Sequence, residues 1–225
     1  VNTPGNPSGK VWTRDELQRL GEVLDGSDVV VLTDEVYEYM CFDGRQHVSP
    51  ATVPSLRNRT LTMNSFSKTF SVTGWRIGYV LAPPVLSNAI RKVHDFLTVG
   101  AAAPLQDAGI VALGLDDSYY RELARSYQRR RDMLLAILER HNFVCYAPRG
   151  AYYIMTDISD FGSRDDVSFV RHLVTTVGVA AVPGSSFFRN PVSARHLVRF
   201  CFCKKDETLS EAERRLARLR ESLPA

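Results

Sequence analysis

Lys68 lies in the run Ser65-Phe66-Ser67-Lys68-Thr69-Phe70, and Gly74-Trp75-Arg76 follows closely. Lysine is the side chain that forms an imine with an aldehyde, and it attacks as the free amine only when partly desolvated. Hydroxyls at Ser65 and Ser67 and a guanidinium at Arg76 are what a phosphate dianion beside such an imine would require. On their own these residues also fit an exposed loop lysine among scattered serines. Asp34 is the second candidate: it follows the apolar run Val29 to Leu32, where a carboxylate is costly unless a cation or donor meets it. A helix cap or a core ion pair would satisfy it equally. Tyr37, three residues on, brings a phenol toward the same space or simply fills core. Gly5-Asn6-Pro7-Ser8-Gly9-Lys10 has the glycines of a phosphate loop at the wrong spacing, and Val11 follows the lysine. It reads as a rigid turn that fixes one amide side chain, Asn6.

These residues need elements to hold them. Thr13 and Glu16 form a T-x-x-E capping box, and Leu17, Leu20 and Leu24 follow at helical spacing, which predicts a helix from Arg14 to Leu24 ended by Gly26. Val29 to Leu32 predicts a strand buried on both faces, delivering Thr33-Asp34-Glu35 at its C-terminal end. A strand at Thr60 to Met63 delivers Asn64 to Lys68, and a third at Ile77 to Leu81 stops at Pro83-Pro84. Polar residues gathered at strand ends mark an open α/β sheet with its ligand at the carboxyl edge. Helices are expected at Val85 to Phe96, Leu105 to Leu113 and Tyr119 to His141, the last with Leu123, Tyr127, Leu134 and Leu138 on one face. Its Arg129-Arg130-Arg131 run is expected on a solvated face, because Asp132 and Glu139 flank it. Beyond Phe143, strands at Tyr152 to Met155, Val179 to Val182 and Leu197 to Cys203 alternate with helices at Val167 to Val177 and Leu209 to Leu223. The expectation is two domains, residues 1–130 and a smaller α+β domain over 131–225.

The chain's 225 residues are 44% hydrophobic and 24% charged, a globular composition that excludes disorder, collagen and coiled coil. No apolar run is long enough for a membrane span, and Val1-Asn2-Thr3-Pro4-Gly5 has neither a basic start nor an apolar signal core. No membrane partner and a cytoplasmic location are expected. The 28 basic and 25 acidic residues leave a net charge of +3, too mild to imply nucleic acid. Cys41, Cys145, Cys201 and Cys203 lack C-x-x-C spacing and read as buried thiols in a reducing compartment. No residue set is assigned to a metal.

Taken together, N-T-P-G-N-P-S-G-K (2–10), T-D-E-V-Y (33–37), S-F-S-K-T-F-S-V-T-G-W-R-I-G-Y (65–79) and V-R-F-C-F (198–202) resemble the aspartate aminotransferase superfamily. These are the fold-type I, pyridoxal 5′-phosphate-dependent enzymes, in their class I/II aminotransferase branch. P-R-G-A-Y-Y (148–153) and V-P-G-S-S-F (182–187) are lesser matches. Phe42-Asp43-Gly44, His47-Val48-Ser49 and Arg199-Phe200-Cys201-Phe202 look most like the kynurenine aminotransferase and glutamine transaminase K group.

The resemblance implies the C-terminal part of a large domain, with a mostly parallel sheet flanked by helices, followed by a small α+β domain. It implies that Lys68 carries the cofactor as a Schiff base and then shuttles a proton, and that Asp34 pairs with the pyridine nitrogen. Asn6 and Tyr37 would hydrogen-bond the 3′ oxygen. Ser65, Ser67 and Arg76 would bind the phosphate, and Arg199, with Asn6, the substrate. Transfer of an amino group from an amino acid to a 2-oxo acid is the implied reaction, in a homodimer. In the family, the glycine-rich phosphate turn and the aromatic residue stacked on the ring precede the motif at residues 2–10, so this chain is expected to be part of a longer enzyme. Two alternatives keep the same residues: a β-lyase of the cysteine-conjugate type, and a cofactor-sensing half of a transcription regulator.

Overall fold

The computed structural model describes residues 1–222. The chain divides into two compact units: Val1–Gly5 with Lys10–Ala124, and Asn6–Gly9 with Arg125 onward.

The first unit opens with helix α1 (Arg14–Val23). Thr13 Oγ1 accepts from the Glu16 amide while the Glu16 carboxylate accepts from the Thr13 amide, the reciprocal cap read from the sequence. Strand β1 (Val31–Asp34), helix α2 (Pro54–Arg57) and strand β2 (Thr60–Ser65) follow. Leu17, Val31, Val53 and Leu56 pack into a buried cluster between them, each side chain contributing about 1.5–3 kcal/mol of burial. The sheet corrects two expectations. Leu32 is 53% exposed and Val29 and Val30 are exposed too, so the apolar run is covered on one face only, as the alternation along β1 shows. Nor is the sheet mostly parallel: β1 pairs parallel with β2, and β2 pairs antiparallel with β3 (Gly78–Leu81). The reason is the connection. Helix α3 (Phe66–Thr69) is one turn and a 3-10 turn at Thr73–Trp75 adds little, too short a climb to return the chain to the start of β2. Helices α4 (Pro84–Leu97) and α5 (Ala103–Leu113) complete the unit, with Phe96, Leu97, Ile110 and Val111 exposed.

Helix α6 (Asp117–Arg140) follows, and the division between units falls inside it. The second unit holds an antiparallel sheet, ordered β4-β5-β7-β6, from strands β4 (Val144–Tyr146), β5 (Tyr153–Asp157), β6 (Val182–Pro183) and β7 (Leu197–Cys201). Strand β4 was not expected. Helix α7 (Asp166–His172) continues as a π-helical turn to Val177, and α8 (Asp206–Leu216) and α9 (Leu219–Ser222) close the chain. The expected last helix reached Leu223, which lies outside the described residues. Tyr127, Leu134, Ile137 and Leu138 of α6 are buried with Phe143, Phe169, Phe200 and Phe202. The arginine run is a solvated face only in part: Arg129 is exposed and, with Arg130, pairs with Asp206 at the surface, whereas Arg131 is buried, bonding Asp132 and the Pro148 carbonyl. A buried guanidinium is tolerated there because those acceptors replace its water.

Among the described residues no helix is long and apolar enough to cross a membrane.

Candidate functional site

Lys68 is positioned by a cap. Ser65, the last residue of β2, is extended (φ −148°, ψ 145°), and its Oγ accepts from the Ser67 amide at 3.1 Å, which starts α3. The two serine hydroxyls lie 2.7 Å apart, and Ser65 Oγ is also 3.1 Å from the Ile77 carbonyl. The helix ends after four residues at Phe70, and Ser71 adopts a left-handed conformation (φ +57°). Two bonds tie the turn down: Thr73 Oγ1 donates to the Ser67 carbonyl (3.0 Å), and Tyr119 Oη to the Thr69 carbonyl (2.7 Å). Lys68 on this turn is half-buried, and among the described residues no hydrogen bond or ion pair reaches its Nζ. Arg76 is exposed, donates to the Thr73 carbonyl at 2.9 Å, and is itself left-handed at φ +55°. That backbone costs about 1–2 kcal/mol for a residue with a Cβ.

Asp34 ends β1 with its backbone held from two sides: its amide donates to the Val1 carbonyl, and its carbonyl accepts from the Thr3 amide and Asn2 Nδ2. Its carboxylate is half-buried and accepts from the Val36 amide at 3.3 Å. The fully buried acid is its neighbour. Glu35 is 1% exposed, and its oxygens meet His47 Nε2 at 2.6 Å and Ser49 Oγ at 2.9 Å. The carboxylate taken out of water at the end of the apolar run is therefore Glu35 rather than Asp34, because the two side chains point to opposite faces. Tyr37 is buried on the same turn. Glu38 then accepts from Asn64 Nδ2, and the Asn64 Oδ1 accepts from the Ser65 amide at 2.7 Å. Burial pushes the Glu38 carboxyl up, against the opposing pull of His47 and Asn64. This chain of bonds joins the turn after β1 to the turn that carries Lys68. Ligating atoms of Glu35, Glu38 and His47 lie within 4.8 Å of one another. Each carboxylate is already committed to a hydrogen-bond donor, so the group is a polar network rather than an open metal site. The 700 Å³ cavity of this unit is lined by Phe66, Ile77, Tyr79, His94 and Gln106 and takes in none of the candidate residues.

In the second unit, Arg199 Nη1 donates to Asn6 Oδ1. The guanidinium lies over the Tyr153 ring at 4.0 Å and the Phe187 ring at 4.4 Å, and its buried Nε has no hydrogen-bond partner among the described residues. Stacking between two rings fixes the plane of the fork, and an orphaned donor is one that an anionic ligand could satisfy. The Asn6–Gly9 segment is held by Gly9, whose carbonyl accepts from the Arg149 and Gly150 amides at 2.9 and 3.0 Å. Gly9 is left-handed (φ +67°) and any Cβ there would collide with Pro148, so both conformation and space require glycine.

Thus Asp34, Tyr37, Ser65, Ser67, Lys68 and Arg76 all belong to the first unit, and Asn6 and Arg199 to the second. Sequence reasoning missed Glu35, Glu38, His47, Ser49 and Asn64, and the rings that sandwich Arg199. Tyr153 and Phe187 sit inside the two lesser motif matches, the one signal that pointed to them.

The family model for aminotransferase class I and II matches residues 1–216. The chain is 37% identical to methionine aminotransferase of Escherichia coli over 97% of its own length and 56% of that protein's. It is 36% identical to human kynurenine–oxoglutarate transaminase 1 over 99% of this chain and 58% of that one. The solved structure of N-succinyldiaminopimelate aminotransferase from Mycobacterium tuberculosis superposes with a TM-score of 0.93 at 38% identity, covering 97% of this chain and 57% of that one. The chain therefore spans between half and three fifths of the length of these relatives.

Proposed function

Because this chain belongs to the class I and II aminotransferases, we propose that the protein moves an amino group from an amino acid to a 2-oxo acid with pyridoxal 5′-phosphate. The observation that carries the reading is Lys68: a half-buried amine, without a hydrogen-bond partner among the described residues, on a one-turn helix whose cap supplies two serine hydroxyls.

The residues present fit the cofactor by their donor chemistry. Ser65, Ser67 and Arg76 offer hydroxyl and guanidinium donors suited to a phosphate, and the Asp34 carboxylate has no cationic partner among the described residues. When bound, the cofactor supplies an electron sink for the carbanion left at the amino acid's Cα. Lys68 would hold it and then move the proton at Cα through its Nζ. Asp34 would keep a proton on the ring nitrogen, and Tyr37 and Asn6 would donate to the ring oxygen. Arg199 would take the α-carboxylate in a bidentate fork, for which its stacked plane and orphaned Nε are suited. Relatives named for methionine, kynurenine and N-succinyldiaminopimelate stand at nearly equal identity, so the proposal names the reaction and the substrate class. We take the working form to be a cytoplasmic homodimer, a reading that the exposed Phe96, Leu97, Ile110 and Val111 support by offering apolar surface to cover.

Borohydride reduction of the full-length protein loaded with cofactor tests the assignment. A pyridoxyl group mapped by mass to Lys68 is the expected result, and an adduct on any other lysine overturns it.

A further inference from the structure

Helix α3 is too short to hold itself. It has four residues, and a single turn costs more chain entropy than its own hydrogen bonds return, so groups outside the helix must set the place of Lys68. Two side chains do so. At the N-terminal end Asn64 is 8% exposed, and its Oδ1 accepts from the Ser65 amide at 2.7 Å. That amide can only donate, so the carboxamide must turn Nδ2 the other way, toward Glu38, whose Oε1 accepts from it. Ser65 is in turn the residue whose hydroxyl caps α3. At the C-terminal end the Thr69 carbonyl lies beyond the last amide of the helix, and it accepts from Tyr119 Oη at 2.7 Å. The Tyr119 ring is stacked on Phe70, with centroids 5.7 Å apart and planes 12° from parallel, which fixes the direction of that hydroxyl. Lys68 stands between these two anchored ends, with its Nζ unbonded among the described residues.

We propose that Asn64 and Tyr119 are positioning residues for the reaction, which hold the two ends of the α3 turn so that Lys68 Nζ reaches the proton it moves. The proposal rests on the role given to Lys68 above. Neither side chain bonds to the amine. Each acts through one backbone atom, Asn64 on the Ser65 amide and Tyr119 on the Thr69 carbonyl. Proton transfer needs its heavy atoms within about 2.6–3.2 Å, and a misplacement of about 1 Å can cost a hundredfold in rate. Loosening either end therefore slows the step that Lys68 carries out. It leaves alone the binding of the amino donor, which is the role proposed for Arg199.

The test compares the full-length protein with Tyr119→Phe, which keeps the ring on Phe70 and removes only the hydroxyl, and with Asn64→Ala, which cuts both bonds of the carboxamide. The cofactor-free forms are mixed with pyridoxal 5′-phosphate and quenched with borohydride at intervals, and the pyridoxyl group on Lys68 is followed by mass. The labelling rate should fall roughly threefold to tenfold in Tyr119→Phe and about tenfold to a hundredfold in Asn64→Ala. In the loaded enzymes kcat should fall by similar ratios, with little change in the KM for the amino donor. Variants that melt earlier but keep the wild-type labelling rate and kcat hold the fold and not the lysine, and overturn the proposal. So does a rise in KM with kcat unchanged. Should Asn64→Ala fail to fold, Tyr119→Phe decides the matter by the same readings. A wild-type label on another lysine overturns the role of Lys68 itself, so the two failures are told apart.

Discussion

Arg199 Nη1 donates a 2.6 Å hydrogen bond to Asn6 Oδ1, joining residues 193 positions apart in the sequence. With Tyr153 and Phe187 on its faces, the guanidinium is fixed in position and in plane. A cation held in this way is prepared for a planar anion, since little side-chain freedom is left to lose on binding.

Arg199→Lys keeps the charge and loses the fork. The KM for the amino donor should rise roughly tenfold to a hundredfold, the worth of one hydrogen bond to a charged group, with a smaller change in kcat. Asn6→Ala should move KM in the same direction by about tenfold. Steady-state kinetics of both variants check this, and an unaltered KM in Arg199→Lys removes the arginine from the substrate role.

Lys68→Arg keeps a long basic side chain on the α3 turn but removes the primary amine that can form an imine. Turnover should fall by at least about 10³. Thermal stability should stay close to wild type, because no bond among the described residues depends on Nζ. A variant that keeps a tenth of its activity would count against the assignment.

His47→Ala leaves the Glu35 carboxylate, 1% exposed, with Ser49 as its remaining side-chain donor in the His47–Glu35–Ser49 group. The loss should be about 3 kcal/mol of unfolding free energy, against about 1 for Ser49→Ala. Urea titration of the two variants distinguishes them. Equal and small losses would mean that the network is not buried in solution.

Glu38 gives a pH dependence with a definite sign. Burial raises its carboxyl above the ordinary 4.5, so in a window above that value the folded chain holds a proton that the unfolded chain has released. Stability from this group is fully present below 4.5 and declines as pH rises through the folded value. Glu38→Gln keeps an oxygen for Asn64 and removes the titration. Its stability advantage over wild type should grow with pH across that window, and parallel curves would refute the shift.

What was legible in the sequence was local. The Thr13–Glu16 cap needs four consecutive residues and formed as read. So did the strand that starts at Thr60 and leads into Lys68. Features that depend on distant partners were not legible. Arg131 is buried because the Pro148 carbonyl accepts from it, and nothing in an Arg-Arg-Arg run announces that. Glu35 meets His47 twelve residues on and Ser49 fourteen residues on, and no local pattern joins the acid to that distant pair. The antiparallel return of β3 followed from the shortness of α3, visible once its length was known.

The Asn6–Gly9 segment belongs to a unit whose other residues begin at Arg125, and this has a consequence for synthesis on the ribosome. Gly9 must wait for Arg149 and Gly150, and Asn6 for Arg199. At roughly 5–20 residues per second, the nascent chain carries Asn6 for about 10–40 s before its partner emerges. Closing so long a loop is a slow, late event in folding. The Arg199–Asn6 pair is therefore completed among the last features of the chain, and a ribosome-bound intermediate that stops short of β7 carries Asn6 without it.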